Sequence, residues 1–162
     1  MAEPVVLVSA CLLGIPCRYD GGSKLVSGIR AQLAGCRIVP FCPEVLGGLE
    51  TPRPAAEITG GDGAAVLDGA ASVRNRAGLD VTGEFIRGAE AVLDLVRANQ
   101  PASVILKAKS PSCGVGRIYD GSFTGRLRDG DGVTVALLRR STAIRFYTEE
   151  DFPIQDLDEK NA

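Results

Sequence analysis

The sequence predicts a single α/β domain, Rossmann-like, with a mainly parallel sheet flanked by helices. Short valine- and isoleucine-rich runs recur along the chain, and amphipathic helical segments lie between them. Buried strands that alternate with helices are typical of a parallel sheet covered on both faces. The length of 162 residues suits one domain. We place this domain at residues 1–152 and an acidic C-terminal tail at residues 153–162.

Four runs are predicted as strands, the first three of them buried. Each is short and is bounded by residues that favour turns or helix ends. In chain order the predicted strands are residues 4–10, 37–41, 103–107 and 143–147.

The first helix is predicted at residues 24–33. Leu25, Ile29 and Leu33 recur on one helical face, and Gly35 follows as a stop.

Two later helices are predicted. Thr82 is a suitable N-cap for a helix that runs to about Asn99. The segment 133–139 forms a shorter helix with basic residues at its C-terminal end. The apolar face of the longer helix consists of Phe85, Ala89, Val92, Leu93 and Val96.

The stretch between residues 43 and 81 is predicted to be irregular, because proline and glycine interrupt it repeatedly. Within it, residues 64–67 and 72–74 are expected to form short strands or a hairpin. The tail after Phe152 is expected to fray.

The chain contains no histidine, which excludes imidazole-based catalytic triads and histidine zinc sites. Acid–base chemistry must then use Asp, Glu, Cys, Lys or Tyr. A transition-metal site would rest on thiolates and carboxylates, and thiolates favour zinc, Cu(I) or iron–sulfur clusters. The net charge of −2, without a basic stripe, gives no sign of binding to nucleic acid or an anionic membrane.

The N-terminus lacks a basic region, and its apolar stretch is too short for a signal peptide or a membrane span. We therefore expect a cytoplasmic protein with no membrane partner. Thiols are reduced in that compartment, so the five cysteines are expected to be ligands, catalytic groups or core residues.

Three of the cysteines follow predicted strands: Cys11, Cys42 and Cys113. Ligands bind at the carboxyl ends of parallel strands, so these thiols are expected at the edge where a site forms. Three dispersed ligands would leave a metal one protein ligand short and open to substrate. Cys17 lies in the loop after Cys11, and Cys36 begins a strand and belongs at the opposite edge. The alternative is that all five are buried, apolar-like thiols.

Polar residues accompany these cysteines. Glu44 lies two residues after Cys42 and is the best candidate proton carrier in a chain without histidine. It could instead be a solvated glutamate, or could cap a helical turn after Pro43. Lys109 could balance the charge of a thiolate cluster, and Arg53 could contact an anion or a carbonyl group. Both could also be ordinary surface residues.

Several motifs, taken together and in order, resemble the thiouracil desulfidase (TudS-like) family over residues 5–148. They are Ser9-Ala10-Cys11-Leu12-Leu13-Gly14, Arg18-Tyr19-Asp20-Gly21-Gly22, Cys42-Pro43-Glu44-Val45, Thr51-Pro52-Arg53-Pro54 and Ser110-Pro111-Ser112-Cys113-Gly114. The resemblance implies a [4Fe-4S] cluster with three cysteine ligands and one open iron. The implied ligands are Cys11, Cys42 and Cys113, with Cys17 in reserve.

The family's catalytic glutamate corresponds to Glu44 and its catalytic serine to Ser110. The implied reaction is the non-redox desulfuration of a thiolated pyrimidine, 2-thiouracil, 4-thiouracil or the nucleoside, to uracil or uridine plus sulfide. The residues expected to bind this small molecule are Ser9, Arg18, Tyr19, Asp20, Arg53, Lys109 and Ser112.

Three alternatives stay open at this point. The chain could be a cluster-binding redox sensor without desulfidase activity. It could be a nucleotide- or phosphate-binding protein built on its glycine loops. It could also remove thiouridine from tRNA, although the net charge and the single domain argue against that substrate.

Overall fold

A computed structural model describes residues 3–152 of the chain. Within that range the strands are β1 Val5–Ser9, β2 Arg37–Phe41, β3 Ala56–Thr59, β4 Ser72–Asn75, β5 Ser103–Leu106, β6 Arg117–Tyr119, β7 Leu127–Asp129 and β8 Arg145–Thr148. The helices are α1 Ile29–Gln32, α2 Pro43–Leu46, α3 Gly63–Leu67, α4 Thr82–Asn99 and α5 Val133–Ser141, with a 3₁₀ helix at Ala10–Leu13.

The central sheet has the strand order β2-β1-β5-β8, and every neighbouring pair is parallel. Along β1, Leu7 faces one side of the sheet, and Val6 and Val8 face the other, as the alternation of side chains in a strand requires. Both faces of the sheet are covered, and its central strands β1 and β5 are accordingly apolar along most of their length. The predicted α/β class and parallel sheet are confirmed.

Helices α4 and α5 cover one face of the sheet. Every residue predicted for the apolar face of α4 is buried, and Val135 and Leu138 of α5 join the same cluster. The 3₁₀ helix and α1 cover the other face, where Leu12 and Ile29 pack against Val8 and its neighbours. The helix boundaries predicted at Asn99 and Val133 agree with the structure.

Two small antiparallel hairpins, β3–β4 and β6–β7, lie outside the central sheet. They share a third apolar cluster, in which Ile58, Val73 and Ile118 pack against Phe85 of α4. The strands β3, β6 and β7 are absent from the sequence predictions. Each has only three or four residues, which is too few to show a period.

The prediction of a helix at residues 24–33 is wrong, because α1 begins only at Ile29. Gly28 has φ +82°, a left-handed conformation that a helix cannot continue through. Leu25 is 60% exposed, whereas Ile29 and Leu33 are buried as expected.

The expectation of irregular structure across residues 43–81 is also wrong in part. Residues 64–67 are helical rather than extended, because Asp62 caps α3 by accepting the N–H of Ala65. The strand predicted at 72–74 exists as β4 but pairs with β3.

Thr82 is not the N-cap of α4, a position that Val81 occupies. The hydroxyl of Thr82 instead accepts the N–H of Val73, and Asp80 accepts the N–H of Thr82.

No helix in residues 3–152 is long and apolar enough to cross a membrane. The predicted tail at residues 153–162 lies outside the described residues.

Candidate active site

A cavity of about 320 Å³ opens where β1, β2 and β5 end. Cys11 enters its wall from the 3₁₀ helix that follows β1, Cys42 from the residue after β2, and Cys113 from the loop after β5. Cys17 lines the same cavity. Cys36 does not, and packs against the apolar cluster under the 3₁₀ helix.

The Cys42 thiol lies beside Cys17, 3.9 Å from its carbonyl oxygen. Contact with Cys17, followed by burial, raises the pKa of Cys42 well above its ordinary value. Contact with Cys11 raises the pKa of Cys17, and contact with Cys42 partly opposes that change. Cys11, Cys17 and Cys42 thus line the same cavity and influence one another's pKa.

Cys113 is the most enclosed of these thiols. Burial raises its pKa to about 12, against the opposing effect of two hydroxyls. The Ser9 and Ser112 hydroxyls each lie 3.7 Å from its sulfur. These hydroxyls could donate hydrogen bonds to a thiolate, which would offset part of the cost of burying its charge.

The loop that carries Cys113 is held by hydrogen bonds from within the loop and from helix α5. The Ser110 hydroxyl accepts the N–H groups of Ser112 at 3.1 Å and Cys113 at 3.0 Å. The first N–H groups of α5 donate to the loop, from Val133 to Pro111 and from Thr134 to Ser112. Helix α5 thus finds partners for its otherwise unsatisfied N–H groups in this loop.

Glu44 is oriented by an arginine. It lies in the first turn of α2, and its Oε1 accepts the Nε–H of Arg53 at 3.2 Å. The same guanidinium donates to the carbonyl oxygens of Cys17 at 3.0 Å and Glu50 at 3.1 Å, and to the Thr51 hydroxyl at 3.0 Å. Arg53 therefore ties Glu44 to the loop that carries Cys17.

A chain of hydroxyls leads from Ser110 to Glu44. The Ser110 and Ser112 hydroxyl oxygens lie 2.9 Å apart, and the Ser112 hydroxyl donates to Glu44 Oε2 at 3.3 Å. Ser110 already accepts two N–H groups, so its own proton is available for donation to Ser112. Protons can therefore move along this chain toward the carboxylate of Glu44.

The structure places most, but not all, of the predicted substrate-binding residues at the cavity. Ser9, Arg18, Tyr19, Arg53 and Ser112 line it, as do Glu44 and Ser110.

Asp20 and Lys109 do not line the cavity. Asp20 accepts the N–H of Gly22 and pairs with Arg18 at 3.5 Å. Lys109 has φ +69° and pairs with Glu150 at 3.7 Å.

Among the lining residues that have no counterpart in the sequence predictions are Glu57, Arg76, Tyr119 and Phe123. They come from β3, from the residue after β4, and from the β6–β7 hairpin. No local motif marks them, because only the packing of two hairpins brings them to the cavity.

The donor set fits an iron–sulfur cluster better than a single ion. Among residues 3–152, no three Cys, Asp or Glu side chains are close enough to hold one metal ion. In a cubane cluster each cysteine binds a different iron, so the ligands surround a larger volume. Cys11, Cys42 and Cys113 line one cavity and offer the thiolate donors that such a cluster uses.

Comparison with known proteins identifies relatives over nearly the whole chain. The profile of a family described as 2-thiouracil desulfurase matches residues 6–151. The protein YbbK of Bacillus subtilis (strain 168) is 45% identical over 137 residues, which cover 85% of this chain and 91% of that protein. A solved structure, described as the [4Fe-4S]-dependent thiouracil desulfidase TudS, is 46% identical with a TM-score of 0.80. It covers 99% of this chain, and the match includes all of that one.

Proposed function

The chain belongs to the 2-thiouracil desulfurase family, and we propose on that basis that it is a [4Fe-4S]-dependent enzyme that desulfurates thiolated pyrimidines. Its substrates are 2-thiouracil, 4-thiouracil or the nucleoside, and its products are uracil or uridine and sulfide. The observation that supports this function best is that Cys11, Cys42, Cys113 and Glu44 line one cavity.

Cys11, Cys42 and Cys113 would hold the cluster, and Cys17 is the reserve ligand. When bound, the cluster supplies an open iron that acts as a Lewis acid on the substrate sulfur. The Ser9 hydroxyl, 3.7 Å from the Cys113 sulfur, supports the thiolate form that a ligand requires.

Glu44 moves the protons of the reaction. Water adds at the carbon that bears sulfur, its oxygen replaces the sulfur, and its two protons leave with sulfide, so no electrons are exchanged. Arg53 holds Oε1 of Glu44, and Oε2 is directed to the hydroxyl chain. Glu44 therefore takes a proton from water, and Ser110 and Ser112 hold the water or the substrate by hydrogen bonds.

A reaction of this kind suits the cytoplasm, where thiols stay reduced. Thiolated tRNA is not the proposed substrate, because the net charge of −2 provides no electrostatic footprint for a polyanion.

The test is anaerobic reconstitution with iron and sulfide, followed by assay of uracil formed from 2-thiouracil and from 4-thiouracil, and of uridine formed from the nucleosides. We expect about four irons per chain, the number in one cubane cluster, and turnover. Cys11→Ser, Cys42→Ser and Cys113→Ser should lose cluster and activity. Cys36→Ser is the matched control, because that thiol lies away from the cavity, and it should keep both. A cluster-loaded wild type that forms no uracil would indicate a sensor.

A further inference from the structure

Glu57 is a buried carboxylate at the cavity with one oxygen unused by the protein. Its side chain lies on β3 and lines the cavity, and the residue is only 8% exposed. Oε1 accepts the N–H groups of Gly121 at 3.0 Å and Phe123 at 3.2 Å. No hydrogen bond or ion pair within residues 3–152 involves Oε2.

The turn that Glu57 holds is strained and carries an aromatic ring. Phe123 has φ +57°, which a non-glycine residue adopts at a cost, and such conformations persist where neighbouring groups hold them. Gly121 approaches β3 so closely that a Cβ there would lie 2.6 Å from the Ile58 carbonyl oxygen. The hydrogen bonds to Glu57 therefore keep the Phe123 ring at the cavity.

The cavity therefore has an aromatic part in addition to its cysteine thiols. Phe123 and Tyr119 both line the cavity, and the Arg76 guanidinium lies 5.3 Å from the centre of the Phe123 ring. A flat heterocycle can stack on such rings. A carboxylate beside them accepts hydrogen bonds only, so it selects a ring that carries an N–H donor.

We propose that Glu57 Oε2 binds a ring N–H of the pyrimidine, while Phe123 and Tyr119 provide the surface on which the ring stacks. This assignment rests on the proposed function. Thiouracil has two ring N–H groups, and hydrogen bonds to a charged acceptor are stronger than neutral ones. Glu57 is thus a substrate-binding residue, distinct from Glu44, and makes the enzyme selective for N-unsubstituted bases at one ring position.

The test compares 2-thiouracil with 1-methyl- and 3-methyl-2-thiouracil on the anaerobic holoenzyme. Methylation removes one donor at a time. Wild type should lose roughly 10- to 100-fold in kcat/KM with one of the two methyl compounds. Glu57→Gln keeps an oxygen for the Gly121 and Phe123 N–H groups but faces the ring with a donor. Glu57→Gln should raise the KM for 2-thiouracil roughly 10- to 100-fold and leave kcat within about threefold of the wild-type value. It should also reduce the difference in kcat/KM between 2-thiouracil and the poorer methyl compound.

Glu90→Gln makes the same chemical change at an exposed position of α4 and should behave as wild type. Iron content and Tm of Glu57→Gln should equal those of wild type. The discrimination by wild type needs no variant, so the proposal stays testable if Glu57→Gln fails to fold.

The outcomes separate the two proposals. A cluster-loaded wild type that forms no uracil refutes the function, and the role of Glu57 with it. A wild type that turns over all three compounds within about threefold of one another refutes the role of Glu57 alone. Equal discrimination in wild type and a folded Glu57→Gln does the same.

Discussion

Arg53 has a different place in the structure from the substrate contact that its motif suggests. Its side chain is only 7% exposed, and its guanidinium donates to Glu44, to Thr51 and to two backbone carbonyl oxygens. The N–H groups of the Arg53 guanidinium are thus used by acceptors within the protein itself. We therefore expect Arg53 to act mainly by orienting Glu44 and the Cys17 loop.

Arg53→Lys should lower kcat by about 10-fold or more and change KM little. A lysine ammonium cannot reach all of these acceptors together, so Glu44 would lose its fixed orientation. Steady-state kinetics at matched iron content measure the effect. Arg87→Lys, in an exposed pair with Glu84 on α4, is the control and should leave kcat unchanged. A KM effect without a kcat effect would mean that Arg53 contacts substrate after all.

At the scale of elements, the site depends on how closely α2 packs on α4. Glycine lies on both sides of the contact, Gly88 within α4 and Gly47 directly after α2. A Cβ on Gly88 would lie 2.0 Å from the Pro43 carbonyl oxygen, and a Cβ on Gly47 would lie 1.9 Å from the Glu84 carbonyl oxygen. Helix α2 follows Cys42 directly and carries Glu44. The long α4 helix therefore sets the position of both residues from outside the cavity.

Gly88→Ala should destabilise the chain by about 1–3 kcal/mol through overpacking, and should also reduce activity and iron content by moving α2. Gly83→Ala is the control on the same helix, because its Cβ would meet only the flexible Arg87 side chain, at 3.2 Å. It should gain up to about 1 kcal/mol from helix propensity. Denaturant unfolding and iron analysis measure both variants. Equal stability of the two would show that the close approach is unimportant.

For the whole molecule, the proposed ligands join three segments that are far apart along the chain. Cys11, Cys42 and Cys113 line one cavity beyond the ends of the parallel strands, and the two clusters that cover the faces of the sheet consist mainly of aliphatic side chains. The fold should therefore survive without the cluster. A ligand that binds only the folded state still stabilises it.

Removal of the cluster by anaerobic chelation should lower Tm by roughly 5 °C or more while a single cooperative transition remains. Differential scanning calorimetry on the loaded and stripped chain measures this. Cys36→Ser should show the same decrease in Tm on stripping, because that thiol lies outside the cavity. Loss of cooperative unfolding in the stripped chain would mean that the fold itself requires the cluster.

The sequence predicted the elements whose signal is local. Strands β1 and β5 are largely apolar runs, β2 and β8 are short runs that begin with an arginine, and α4 repeats its apolar residues over five turns. The segment 24–33 gave a wrong prediction because its leucines and isoleucine keep a helical spacing across Gly28, whose left-handed backbone conformation prevents a helix from starting before Ile29.

By itself, then, the sequence determined that a parallel sheet forms and that the cysteine thiols and Glu44 lie at one edge of it. The reason is that parallel strands all have their carboxyl ends at the same edge, and these residues follow strands. Only the tertiary structure decided that Arg53 orients Glu44, that Asp20 and Lys109 lie off the cavity wall, and that Glu57 and Phe123 lie on it. Those relations arise from side-chain contacts between segments that are distant in the chain. Local periodicity shows only which face of its own element a residue lies on, so it cannot predict such contacts.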